Sequence, residues 1–145
     1  MRKTADILWV DDSLWVQRQT IDDVKNALSA TMTFASTISE AKSKLDKGGF
    51  KIVILDMQIE RDTQGALTIL SYMSGRAAAE PTKRRPWVII YTLEYGDNDH
   101  PNAMFPDFII EVVPKHYSNS SFLIRKIKDA LYILDATRMI GKAKL

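Results

Sequence analysis

Four short runs of this chain are apolar, the last of them interrupted by Glu111, and each ends in a polar residue. Ile7-Leu8-Trp9-Val10 leads into Asp11-Asp12, and Ile52-Val53-Ile54-Leu55 leads into Asp56. Trp87-Val88-Ile89-Ile90-Tyr91 leads into Thr92, and residues 109–113 lead through Pro114 into Lys115. Runs this short and this apolar predict strands buried on both faces, as in a parallel sheet. Between them the period lengthens to helical spacing: Leu14, Ile21, Val24 and Leu28 predict a first helix, capped by Ser13. A weaker run, residues 32–35, predicts a second strand nearer a sheet edge, followed by a helix over 39–47 that Gly48-Gly49 ends. Gly65 opens a helix with Ala66, Ile69, Leu70 and Met73 on one face, extended over 76–80 and stopped by Pro81.

From Gly96 to Pro106 the run of Asp, Asn and Pro admits no more than a short turn of helix. The last helix, capped by Ser118 or Asn119, carries the stripe Leu123, Ile127, Leu131 and Leu134. These elements alternate as βα units, so the expectation is an α/β doubly wound parallel sheet over residues 1–135, with 136–145 a C-terminal tail that frays from Gly141 onward. The basic stretch 81–86 reads as a solvated connection.

Composition narrows the function classes. A chain of 145 residues, 46% hydrophobic, has the size of one domain with a real core. With 20 basic against 18 acidic residues the net charge is +2, which calls for neither nucleic acid nor an anionic membrane. There is no cysteine and there are two histidines, His100 and His116, which excludes thiolate chemistry and a histidine metal cluster. The opening residues reach only four apolar positions before two aspartates, too few for a signal peptide or a spanning helix, so a cytoplasmic protein is expected.

The chemistry follows from where the polar residues fall. In an open parallel sheet, ligands bind beyond the carboxyl ends of the strands, and residues distant in sequence converge there. Singly, Asp11 or Asp12 serves as a helix cap, Asp56 as a turn residue, Thr92 as a strand residue and Lys115 as a surface lysine. Together they make one chemistry. Three crowded carboxylates repel unless a cation joins them, and Mg2+ suits such oxygen donors and phosphate. An aspartate can be a nucleophile, with the Thr92 hydroxyl and the Lys115 ammonium holding phosphoryl oxygens.

In these residues the chain resembles the receiver domains of two-component response regulators, of the single-domain chemotaxis type. The resemblance rests on Asp11-Asp12-Ser13 after the first strand, Asp56-Met57 after the third, Gly65 before a helix, Thr92 after the fourth strand and Lys115 after the fifth. It implies a flavodoxin-like sheet of order 2-1-3-4-5. It also implies that Asp56 accepts a phosphoryl group from a sensor histidine kinase or phosphotransfer protein, with self-phosphorylation and autodephosphorylation as the only catalysis. Asp11, Asp12, Asp56 and the backbone carbonyl of Gln58 would hold Mg2+, Thr92 and Lys115 would sense the phosphoryl group, and a downstream protein would read the result.

Departures from the family pattern fall among the signalling positions. Pro114 precedes Lys115 where relatives carry a proline after the lysine, which predicts another path for the lysine loop. Leu93 replaces a small residue and predicts narrowed access to Asp56. Ile59-Glu60 stands where Met-Pro is common, and Val112 where an aromatic switch residue is expected. A receiver-like interaction module that no longer uses phosphate is therefore the alternative. A hydrolase of the haloacid dehalogenase type is disfavoured, because Gln58 stands where its second acidic residue would be.

Overall fold

The computed structural model describes residues 6–81, 84–93, 101–115 and 120–143, with side chains up to residue 136. The strands are β1 (Ile7–Val10), β2 (Met32–Ala35), β3 (Ile52–Leu55), β4 (Trp87–Thr92) and β5 (Ile110–Pro114). The helices are α1 (Arg18–Ala27), α2 (Ile38–Lys47), α3 (Gly65–Ala79), α4 (Pro101–Met104) and α5 (Ser121–Ala143). All strand pairs are parallel, in the order β2-β1-β3-β4-β5. That is the flavodoxin-like doubly wound sheet.

The alternation of side chains along each strand divides the core into two layers. Leu8, Val10, Val53, Leu55, Val88 and Ile90 pack against Ala41 of α2 and Ile69, Leu70 and Met73 of α3. Ile7, Trp9, Ile52, Ile54 and Ile89 pack against Ile21 and Val24 of α1 and Leu123 and Ile127 of α5. Covering both faces is what requires β1, β3 and residues 87–91 of β4 to be apolar without a break, and every residue of the three strands is buried. β2 lies at one edge and is mostly half-buried, in keeping with its weaker apolar run. β5 is the other edge and tolerates Pro114, which has no N–H for a ladder. Among the described residues no helix is long and apolar enough to cross a membrane.

Helix boundaries differ from the sequence pattern in identifiable ways. Ser13 does not cap α1, which begins at Arg18 after Gln17. The Ser13 backbone N–H instead donates to Asp11 Oδ1 at 2.8 Å and its hydroxyl to Asp12 Oδ1 at 3.3 Å, so its side chain serves the acidic pair. α2 starts one residue early because Thr37 accepts from the Glu40 N–H and Glu40 accepts from the Ser36 N–H, a reciprocal cap. Gly48 ends it without left-handed backbone; a Cβ there would run into the Phe50 ring, so any other residue would require that ring to move. α4 is a single turn, as expected. α5 runs through Ala143, past its apolar stripe and past Gly141, where the sequence pattern predicts fraying. The expected caps Ser118 and Asn119, residues 82–83 of the basic stretch and both histidines lie outside the described residues.

Candidate functional site

The carboxyl ends of β1, β3, β4 and β5 meet at one edge of the sheet because the ladders are parallel and in register: Val10 pairs with Leu55, and Thr92 with Pro114. The residues that follow are carried to that edge by backbone hydrogen bonds. Asp11 N donates to Ala35 O at 3.1 Å, Asp56 N to Val10 O at 3.1 Å, and Lys115 N to Thr92 O at 2.9 Å. The last bond extends the β4–β5 ladder by one residue, so the prolyl residue before Lys115 leaves the lysine at the strand end.

Lys115 is the centre of the cluster. Its Nζ lies 2.8 Å from Asp11 Oδ2 and 2.8 Å from Asp56 Oδ2. It also lies 5.8 Å from the centroid of the Tyr91 ring, within cation–π range. Asp11 is 1% exposed and Lys115 7% exposed, so this is a desolvated pair. Burial raises the Asp11 carboxyl above its ordinary value, and the hydrogen bond and charge of Lys115 only partly offset that. Burial alone would lower the Lys115 ammonium, but its hydrogen bonds to Asp11 and Asp56 prevail and hold it raised.

Asp12 is exposed. Its Oδ2 accepts the Glu60 backbone N–H at 2.7 Å, and Asp11, Asp12 and Asp56 each present a ligand oxygen within 4.8 Å of the others. Three carboxylates against one ammonium leave this corner negatively charged, and an all-oxygen donor set of that charge fits a hard divalent cation such as Mg2+. The adjoining cleft, about 280 Å3, is lined by Asp12, Asp56, Gln58, Thr63, Thr92 and Lys115 among others. Each expected site residue therefore reaches either the carboxylate cluster or this cleft. Leu93 also lines the cleft but is 59% exposed, so its bulk stands largely in solvent at the rim. Val112 is half-buried against the α2/α3 layer.

Two contributors are not evident from sequence patterning. Tyr91 reads as one more buried strand residue, although its ring faces the lysine. Glu60 reads as a loop residue, although it adopts φ of 60° and binds both Asp12, through its N–H, and the Ile38 N–H, through its carboxylate at 2.8 Å. The departure Ile59-Glu60 from the receiver pattern was its only signal.

No protein-family model matches the chain, and no curated protein matches it in sequence. Solved structures do match. The response regulator TrrA from Thermotoga maritima, determined with Mg2+-BeF, superposes with a TM-score of 0.65 at 21% identity, covering 86% of this chain and 96% of that one. The chemotaxis protein CheY4 of Vibrio cholerae gives 0.66 at 18% identity, covering 88% and 99%. A CheY-like receiver domain protein of Methanospirillum hungatei gives 0.66 at 19%, covering 93% and 99%. The chain has the fold of response regulator receiver domains.

Proposed function

We propose that this chain is a phosphoryl-accepting signalling switch, with Asp56 as the acceptor and a phosphohistidine of a sensor histidine kinase or phosphotransfer protein as the donor. The observation that carries the reading is the Lys115 ammonium held 2.8 Å from both Asp11 and Asp56 beside a third carboxylate, Asp12. A structural ion pair needs one carboxylate; two on one ammonium with a third beside them leave charge for a cation and a phosphoryl group to complete.

Asp11, Asp12 and Asp56, with the backbone carbonyl of Gln58, are the residues to hold Mg2+. When bound it supplies positive charge that offsets repulsion between the carboxylates and the incoming phosphoryl oxygens. Asp56 Oδ2 is engaged by Lys115, which leaves Oδ1 as the nucleophile. Oδ1 attacks phosphorus, the P–N bond breaks, and its electron pair returns to the imidazole of the donor. Lys115 then has a phosphoryl oxygen as a second acceptor in place of Asp56 Oδ2, and the Thr92 hydroxyl donates to another. Hydrolysis by water returns the carboxylate.

Incubation with a small phosphodonor and Mg2+ followed by intact-mass measurement tests this. The wild-type chain should gain one phosphoryl group and Asp56→Asn none. Labelling of the variant at the wild-type rate would refute the assignment. A wild-type chain that takes up nothing would favour the alternative, an interaction module without phosphate, which the Glu60 N–H already seated on Asp12 supports.

A further inference from the structure

The far end of the sheet holds a second cavity, separated from the carboxylates by β3, whose four residues span roughly 13 Å. It measures about 120 Å3 and lies where the last turns of α2 and α3 meet the segments entering β3, β4 and β5. Leu45, Phe50, Met73 and Phe108 form its apolar wall, and Arg76, Arg84 and Arg85 reach it from the rim.

The three guanidinium groups differ in what they already bind. Arg76 pairs with Asp46 at 2.6 Å and Glu80 at 3.4 Å. Arg84 donates to the Leu134 carbonyl at 3.1 Å. Arg85 Nε is buried and has no acceptor, and no carboxylate pairs with its guanidinium among the described residues. Arg85 as a residue is half-buried and lines the cavity, so its cation stands beside the apolar wall with no carboxylate paired to it among the described residues. A guanidinium fork is matched by a planar oxyanion, bidentate where geometry allows. Arg76 is already paired with Asp46 and Glu80, so the charge left for a ligand is the single one of Arg85, which a monoanion matches. The walls demand a flat apolar body, and the volume is close to that of a dry cavity of about 150 Å3 known to take up benzene.

We infer that this cavity is a binding site for a small aromatic monocarboxylate of benzoate size, its carboxylate on Arg85 and its ring against Phe50, Met73 and Phe108. The site is independent of the phosphoryl chemistry proposed above, and its test needs none of that chemistry.

Titration of the full chain with sodium benzoate, followed by heteronuclear NMR, should give saturable shifts at Phe50, Met73, Phe108 and Arg85 Nε. Benzyl alcohol, with the ring but no charge, should bind at the same residues about tenfold more weakly, and inorganic phosphate should not bind there. Arg85→Met and Arg85→Gln should each lower benzoate affinity to the benzyl alcohol level while leaving benzyl alcohol binding intact, which also shows that the cavity still forms. Absence of saturable shifts up to about 10 mM would overturn the inference. So would undiminished benzoate binding in both variants, or loss of benzyl alcohol binding along with benzoate in both.

Discussion

The backbone N–H of Glu60 donates to Asp12 Oδ2 at 2.7 Å, while the carboxylate of the same residue accepts the N–H of Ile38 at the start of α2. One loop residue thus joins a candidate metal ligand to a helix N-terminus. It does so in left-handed backbone, φ 60°, which costs a non-glycine residue about 1 kcal/mol. Proline, common at this position in the receivers that the chain resembles, can adopt neither that φ nor that hydrogen bond. Glu60→Pro should therefore destabilise the fold by about 3 kcal/mol. Glu60→Gly relieves the backbone and loses the Ile38 bond, two opposing effects of about 1 kcal/mol each, and should be nearly neutral. Urea unfolding of both variants decides this; a neutral proline variant would show the bond to be dispensable.

Because Asp12 Oδ2 is held by that N–H, magnesium binding has a specific reporter. Titration with Mg2+ should shift the Glu60 amide and alter tryptophan fluorescence. The fluorescence path runs from Lys115 to the Tyr91 ring and on to Trp9, whose ring centroid lies 6.1 Å from that of Tyr91. Asp12→Asn should weaken the response about tenfold or more. A Glu60 amide unmoved at tens of millimolar, beyond the range of weak cation sites, would count against metal at this corner.

Asp11 stands buried as an anion at a cost. Its folded carboxyl is raised above the ordinary 3.8, so between those two values the folded chain holds a proton that the unfolded chain has released, and stability falls as pH rises. Asp11→Asn removes that penalty and leaves Lys115 paired with Asp56. The variant should be more stable than wild type at pH 7, with the gap closing as pH falls toward 3.8. Denaturant midpoints at neutral and acidic pH measure it; a destabilised variant at pH 7 would mean the Asp11–Lys115 pair outweighs the burial.

On phosphorylation, hydrogen exchange should change mainly over 94–106 and around 114–116 rather than at Val112. Val112 is β-branched, with few rotamers to exchange, and packs half-buried against a filled layer. Residues 94–100 and His116 lie outside the described residues, so the expectation there rests on sequence alone, Asp97-Asn98-Asp99 before Pro101 and Pro114 before His116. Strong protection changes centred on Val112 with 94–106 silent would contradict it.

The sheet was legible in the chain because burial on both faces leaves a local mark. Ile52-Val53-Ile54-Leu55 carries no polar residue that a solvated face would require, and the half-buried edge strand β2 shows its position in a diluted run. The convergence of Asp11, Asp12, Asp56, Thr92 and Lys115 was legible for a related reason: parallel strands bring the residues after their carboxyl ends to one edge, wherever they lie in sequence. What the chain did not disclose depends on contacts with no period. Ser13 faces the acidic pair rather than capping α1 because Asp11 competes for its N–H. Glu60 reaches Asp12 across 48 positions through a backbone angle that residue type does not announce. Arg85 lacks a carboxylate partner among the described residues, and Arg76 has two, only by which carboxylates packing places nearby. Periodicity records which face a residue buries; which partner it meets there is settled only when the helices dock on the sheet.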